Sequence, residues 1–245
     1  MNAASDKGMR PPPEVIVALD YADPADAFVL VARLPGGTWY KVGLELFTRA
    51  GPPVVERLVR DGRRVFLDLK LHDIPNTVAG AVRSASRLGA ELLTVHGAGG
   101  DAMLRAAAAA AGESNAASGG ALRLLAITVL TSLDDDGLAM IAGPGASVAE
   151  TAGRLTELAR AAGIDGAVCS VEEASAVRAL GGEGFLVVTP GIRLPGQAAH
   201  DQRRVATPER ARAAGADYLV VGRSITAAED PAAALADIRR AVGAL

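Results

Sequence analysis

Cysteine and lysine are scarce in this chain of 245 residues, and long apolar runs are missing. The single cysteine, Cys169, can form no internal disulfide and has no second cysteine nearby to make a metal pair, which fits a reducing, cytoplasmic setting. Within the run GAVCS it reads as core packing rather than as a nucleophile. No apolar stretch approaches the roughly 18 to 20 residues that a membrane-spanning helix needs, and the opening MNAASDKGMRPPPE lacks the apolar segment of a secretion signal. Residues 1–13 are therefore expected to be a flexible polar lead-in, with one domain over 14–245. A basic excess is absent too. The net charge is -3 and the 25 Lys and Arg are dispersed, so there is no electrostatic footprint for nucleic acid. Only Lys7, Lys41 and Lys70 are lysines, so a lysine inside an apolar run needs a reason.

What is present is a repeated alternation. Eight short β-branched or Leu-rich runs fall at 15–20, 39–45, 64–71, 92–97, 122–130, 166–170, 185–191 and 218–224, separated by Ala-rich segments of helical period. Several of these segments open with Asp, Ser or Thr before Pro or Glu, as helix starts do. Eight βα units in one domain of this length predict a (β/α)8 TIM barrel. The alternative is a doubly wound open sheet, but VIVALD runs into YADPAD without the G-x-G-x-x-G of a dinucleotide site. The low-complexity stretch 106–120 reads as a helix end followed by a flexible loop.

Side chains alternate across a strand, so residues two apart share a face. In the third run Val65, Leu67, Leu69 and Leu71 form one face, and Phe66, Asp68, Lys70 and His72 the other. The same rule turns Asp20 inward on the first run and Lys41 on the second. Four charges of alternating sign would then meet near the C-terminal mouth, where barrel active sites sit. A purely structural ion network is the competing account, but withdrawing charges from water costs several kcal/mol per ion, and apolar residues pack a core as well. His72 and His96 read as hydrogen-bonding or packing residues, and His200 as solvated.

The loops after the seventh and eighth runs, TPGIRLPGQAAHDQ and VGRSIT, each bring glycine and an arginine, Arg193 and Arg223, to the place where barrels commonly hold phosphate. A phosphate end and a charged end of one mouth suit a small phosphorylated metabolite.

The stretch DLKLHDIPNT, 68–77, resembles in full the D-x-K-x-x-D-I-P-N-T signature of the orotidine 5'-phosphate decarboxylase family. Supporting matches are YKVGLELF, TVHGAGG, VLTSL, TPGIR, HDQRRVATP and GADYLVVGRSIT, and the resemblance spans about 14–240. Related sugar-phosphate decarboxylases and hexulose-phosphate synthases share the D-x-K-x-x-D core without the I-P-N-T continuation, and they use Mg²⁺.

The resemblance implies decarboxylation of orotidine 5'-phosphate to UMP with no metal and no cofactor, in a homodimer whose active sites are shared across the interface. It further implies Lys70, Asp68 and Asp73 as catalytic residues, with Asp73 and Thr77 serving the neighbouring subunit's site. Asp20 and Lys41 would bind the ribose, Thr131 and Ser132 the pyrimidine edge, and Arg193, Gln202, Gly222 and Arg223 the phosphate, with 194–202 as a closing lid. A metal-dependent sugar-phosphate decarboxylase or aldolase of the same barrel group, or a nucleotide-binding protein without turnover, are the alternatives.

Overall fold

The computed structural model describes residues 10–194 and 206–244. Its eight strands are β1 (Glu14–Leu19), β2 (Trp39–Gly43), β3 (Arg64–Leu71), β4 (Leu92–His96), β5 (Arg123–Ile127), β6 (Gly166–Val168), β7 (Leu186–Thr189) and β8 (Tyr218–Val221). All pair in parallel and in sequence order, and β1 also pairs with β8 from Glu14↔Tyr218 to Val17↔Val221. That closing pair makes the sheet a barrel and removes the open-sheet alternative.

Helices fill the connections, and their ends follow local chemistry. Pro24–Arg33 begins behind Asp23, whose carboxylate accepts the Ala25 N–H. Val171–Gly181 begins with a reciprocal Ser170 and Glu173 capping box, and Pro231–Ala241 starts behind Asp230, which accepts from Ala232 and Ala233. The Ala-rich stretch differs from expectation. Its helix, Gly100–Ser118, continues almost to the end of the low-complexity run and stops where Gly119 turns left-handed at φ 67°. Alanine has the highest helix propensity of any residue, so the poly-Ala segment extends the helix rather than fraying it.

The two faces of the strands build two cores. Val15, Val17, Leu19, Val65 and Leu67 lie in the layer between barrel and helices, with Leu69 and Leu71 packed against it. Ile16, Ala18, Trp39, Phe66, Leu92, Leu125, Val188, Tyr218 and Val220 fill the barrel interior. Fully burying a Val, Leu or Phe side chain stabilises by about 1.5–3 kcal/mol, so both layers contribute substantially. Toward the N-terminal ends, Trp39 and Tyr218 meet edge to face at 5.3 Å. The Trp39 indole donates to Glu14 at 2.8 Å, and Arg64 lies 4.0 Å from the Trp39 ring while pairing with Glu91 at 2.8 Å. These contacts form a floor beneath the interior. Among the described residues no helix is long and apolar enough to cross a membrane.

Candidate active site

A cavity of about 830 Å³ opens above that floor, at the C-terminal ends of the strands. Asp20, Lys41, Asp68 and Lys70 line one part of it, and Arg193, Gly222 and Arg223 another. Between them lie apolar residues, including Phe66, Ile127 and Val168.

The charged part is an alternating chain. Lys41 Nζ lies 2.9 Å from Asp20 Oδ1 and 3.8 Å from Asp68 Oδ2, and Lys70 Nζ lies 2.8 Å from the same Asp68 oxygen. Asp68 is only 8% exposed, whereas Asp20, just past the end of β1, is open to solvent. The carboxylate of Asp68 thus has two ammonium partners in a largely dry setting, which meets the need of a buried charge for pairing.

Lys70 reaches this position through an unusual backbone. It is the one non-glycine residue with positive φ, 48°, among the described residues. A non-glycine residue held there costs about 1–3 kcal/mol, and such strain persists only where the surroundings enforce it. The β3–β4 register shifts between Leu67 and Leu71, so Lys70 stands in an irregularity of the ladder. Its N–H, displaced from a regular backbone partner, donates to Thr94 Oγ1 at 2.8 Å.

Sequence reading did not single out Thr94. Its hydroxyl donates to Asp68 Oδ1 at 3.0 Å, and the residue is fully buried. A signal was present: on β4, Leu92, Thr94 and His96 share the inward register, and Thr94 is a polar residue deep within it. Gly43, two residues after Lys41 on β2, shares its inward register. A Cβ there would stand 2.7 Å from Lys41 Nζ, so the missing side chain makes room for the ammonium.

At the other part of the mouth, Arg193 is 8% exposed behind β7, and Arg223 opens the short helix Arg223–Thr226 directly after β8. Thr131 lines the cavity, and Thr226 joins it unpredicted. Ser132 does not line the cavity and is exposed. Asp73 and Thr77 also lie outside it, within the exposed segment His72–Thr77, where Asp73 accepts the Ile74 N–H at 2.6 Å. Gln202, His200 and nearly all of the expected lid lie outside the described residues.

His72 and His96 stack at 4.9 Å between centroids and 16° between planes. Burial pushes the His96 imidazole below its ordinary value, and His72 and the Lys70 ammonium push it the same way. Cys169 is buried, as packing requires, and it also borders the cavity.

Fold and cavity together define a (β/α)8-barrel enzyme with a charged centre over strands β1 to β3 and an arginine-bearing rim at β7 and β8. The sequence model of the Orotidine 5'-phosphate decarboxylase / HUMPS family matches residues 13–238, and the chain belongs to that family. It is 54% identical over 236 residues to the orotidine 5'-phosphate decarboxylase of Halorhodospira halophila, covering 95% of this chain and 97% of the relative. Against the Moorella thermoacetica enzyme of the same name the identity is 53% over 223 residues, with 90% and 88% coverage. The crystal structure of orotidine 5'-phosphate decarboxylase from Lactobacillus acidophilus superposes with a TM-score of 0.84 at 38% identity, covering 95% of this chain and 99% of that one.

Proposed function

We infer that the protein converts orotidine 5'-phosphate to UMP and CO₂, the last step of UMP biosynthesis, without metal or cofactor. The observation that carries this reading is the Asp20, Lys41, Asp68, Lys70 chain of alternating charge at the cavity mouth.

Breaking the bond from C6 of the orotate ring to its carboxylate leaves the electron pair in an sp² orbital that the ring cannot delocalise. A fixed cation is needed where that charge develops. Lys70 supplies an ammonium held by Asp68 at 2.8 Å, and it can pass a proton from Nζ to C6 as CO₂ departs. The resulting amine regains a proton from solvent. Arginine would serve badly, since its guanidinium is far less acidic than an ammonium and retains the proton. Asp68 holds the Lys70 ammonium and stands near the departing carboxylate.

Lys41 and Asp20, joined at 2.9 Å, offer donor and acceptor to the ribose hydroxyls. Thr131 and Ser132 are assigned to the pyrimidine edge, and Arg193, Gly222 and Arg223, with Gln202, to the phosphate. Energy from that remote, unreactive group can be used to lower the barrier at the base. The donor set suits a metal-free reaction, because both cavity carboxylates already hold ammonium partners.

Asp73 and Thr77 are assigned to the neighbouring subunit's site in a homodimer. Support comes from the exposure of the whole His72–Thr77 segment, in which the apolar Ile74 is 67% exposed. A cytoplasmic location accords with a chain that holds one cysteine, Cys169.

The test is the ultraviolet absorbance change of orotidine 5'-phosphate with purified protein and a chelator present. Turnover is expected. No absorbance change would overturn the reading, and turnover abolished by the chelator would point instead to a metal-dependent relative.

A further inference from the structure

We propose that Thr94 is a positioning residue for the decarboxylation, its hydroxyl coupling the left-handed backbone at Lys70 to the orientation of the Asp68 carboxylate. This rests on the functional reading given above.

The direction of both hydrogen bonds follows from the partners. The Lys70 N–H can only donate, so Thr94 Oγ1 accepts at 2.8 Å. An ionised carboxylate can only accept, so the hydroxyl proton goes to Asp68 Oδ1 at 3.0 Å. One buried hydroxyl therefore uses its donor and an acceptor position on two residues of the same strand segment. With Oδ1 held by Thr94, Oδ2 is the oxygen turned toward Lys70 Nζ at 2.8 Å and Lys41 Nζ at 3.8 Å.

The second bond acts at the other end of Lys70. A regular ladder gives a strand N–H a backbone acceptor on its neighbour. At the β3–β4 irregularity a side chain takes that place, and the residue it serves is the one with φ 48°. Thr94 thus supplies a partner to this part-buried N–H at the point where Lys70 departs from strand geometry. The side-chain bond from Lys70 to Asp68 then joins the two ends, so that backbone, hydroxyl, carboxylate and ammonium form a loop of contacts. Rotation of the carboxylate or a flip at Lys70 has to break that loop.

The alternative is a merely structural threonine filling space beneath the site. Valine matches threonine in shape while lacking the hydroxyl, and serine keeps the hydroxyl while losing the methyl, so the pair separates the two accounts. Thr94→Val is expected to lower kcat for orotidine 5'-phosphate by about 100-fold, the scale of loss that a misplacement of about 1 Å causes, with KM changed far less. Thr94→Ser is expected to recover most of that loss.

A Thr94→Val enzyme with kcat within about 2-fold of wild type would overturn the proposal, as would a Thr94→Ser enzyme no better than Thr94→Val. Circular dichroism and UMP affinity are measured on each variant, both expected to be near wild type. Lost UMP affinity in Thr94→Val would assign the residue a structural role and overturn the proposal. The crystal structure of Thr94→Val gives a readout independent of turnover. Either Asp68 or the φ of Lys70 is expected to have moved, and an unchanged arrangement of both would overturn it. Wild-type turnover is scored separately, so an inactive wild type would count against the decarboxylase reading while the structural readout still decides the role of Thr94.

Discussion

Gly43 and Lys41 face the same way along β2, so closely that a Cβ built on Gly43 would stand 2.7 Å from the Lys41 ammonium nitrogen. The conflict is with the tip of a flexible side chain, not with backbone. Gly43→Ala should therefore fold, with a melting temperature within about 2–4 °C of wild type. The displaced ammonium should lower kcat/KM by about 10- to 100-fold. Steady-state kinetics beside a thermal melt checks both halves, and unchanged kinetics would mean that the position of Lys41 is not critical.

Arg223 begins the helix that follows β8, at the opposite part of the mouth from Lys70. Losing its charge-assisted contacts, worth about 1.5–3 kcal/mol, should weaken UMP binding about 10- to 100-fold in Arg223→Ala. Because phosphate binding also assists the chemistry, kcat should fall as well. Calorimetry with UMP and turnover with orotidine 5'-phosphate give the two numbers. Wild-type UMP affinity would remove Arg223 from the phosphate grip.

Lys70→Ala and Asp73→Ala should each depress turnover by at least about 100-fold, as expected for loss of a proton donor or of a charged partner. If Asp73 acts across the interface, mixed dimers of the two variants contain one intact site. Randomly assorted subunits should then show about a quarter of wild-type activity. Heterodimers isolated with two different tags that stay inactive would place Asp73 in its own subunit's site.

His96 gives the stability of the fold a pH dependence. Burial, His72 and Lys70 lower its pKa from the ordinary 6.5. Below about 6.5 the unfolded chain takes up a proton that folded His96 refuses, so stability should decline as pH falls through that region toward the folded value. His96→Asn should lose less melting temperature than wild type between pH 7.5 and 5.5. The gap should be about 2–4 °C for each kcal/mol of linkage. Parallel slopes in the two melts would remove His96 as the source.

The barrel and half of its chemistry were legible because strand alternation is a local property. The leucines at 67, 69 and 71 and the charges at 68 and 70 sort themselves onto two faces with no knowledge of the rest of the chain. Strand ends were less legible. The runs expected to reach Leu130, Gly191 and Ser224 stop at Ile127, Thr189 and Val221, because residues lining the mouth resemble strand residues in type while their backbone has already turned. The positive φ of Lys70 had no sequence signal, since lysine gives no hint of left-handed backbone. Thr94 had a signal, its place on the inward register, but only contact across strands reveals that it joins Asp68 to Lys70. Asp73, Thr77 and Ser132 fall outside the cavity of a single subunit, and no intrachain pattern says what faces them.

The floor of Trp39, Tyr218, Glu14 and Arg64 closes the barrel beneath the cavity. On the reaction proposed above, gas and nucleotide would leave on the C-terminal side, where the cavity lies. If Lys70 is the proton donor, CO₂ would form above packed Phe66, Leu92 and Leu125, and its exit would run past the nucleotide that produced it. The dwell time of CO₂ beside the newly formed C6–H bond would then depend on crowding at the cavity mouth, and the same crowding would bear on how often the reaction runs backward before product escapes.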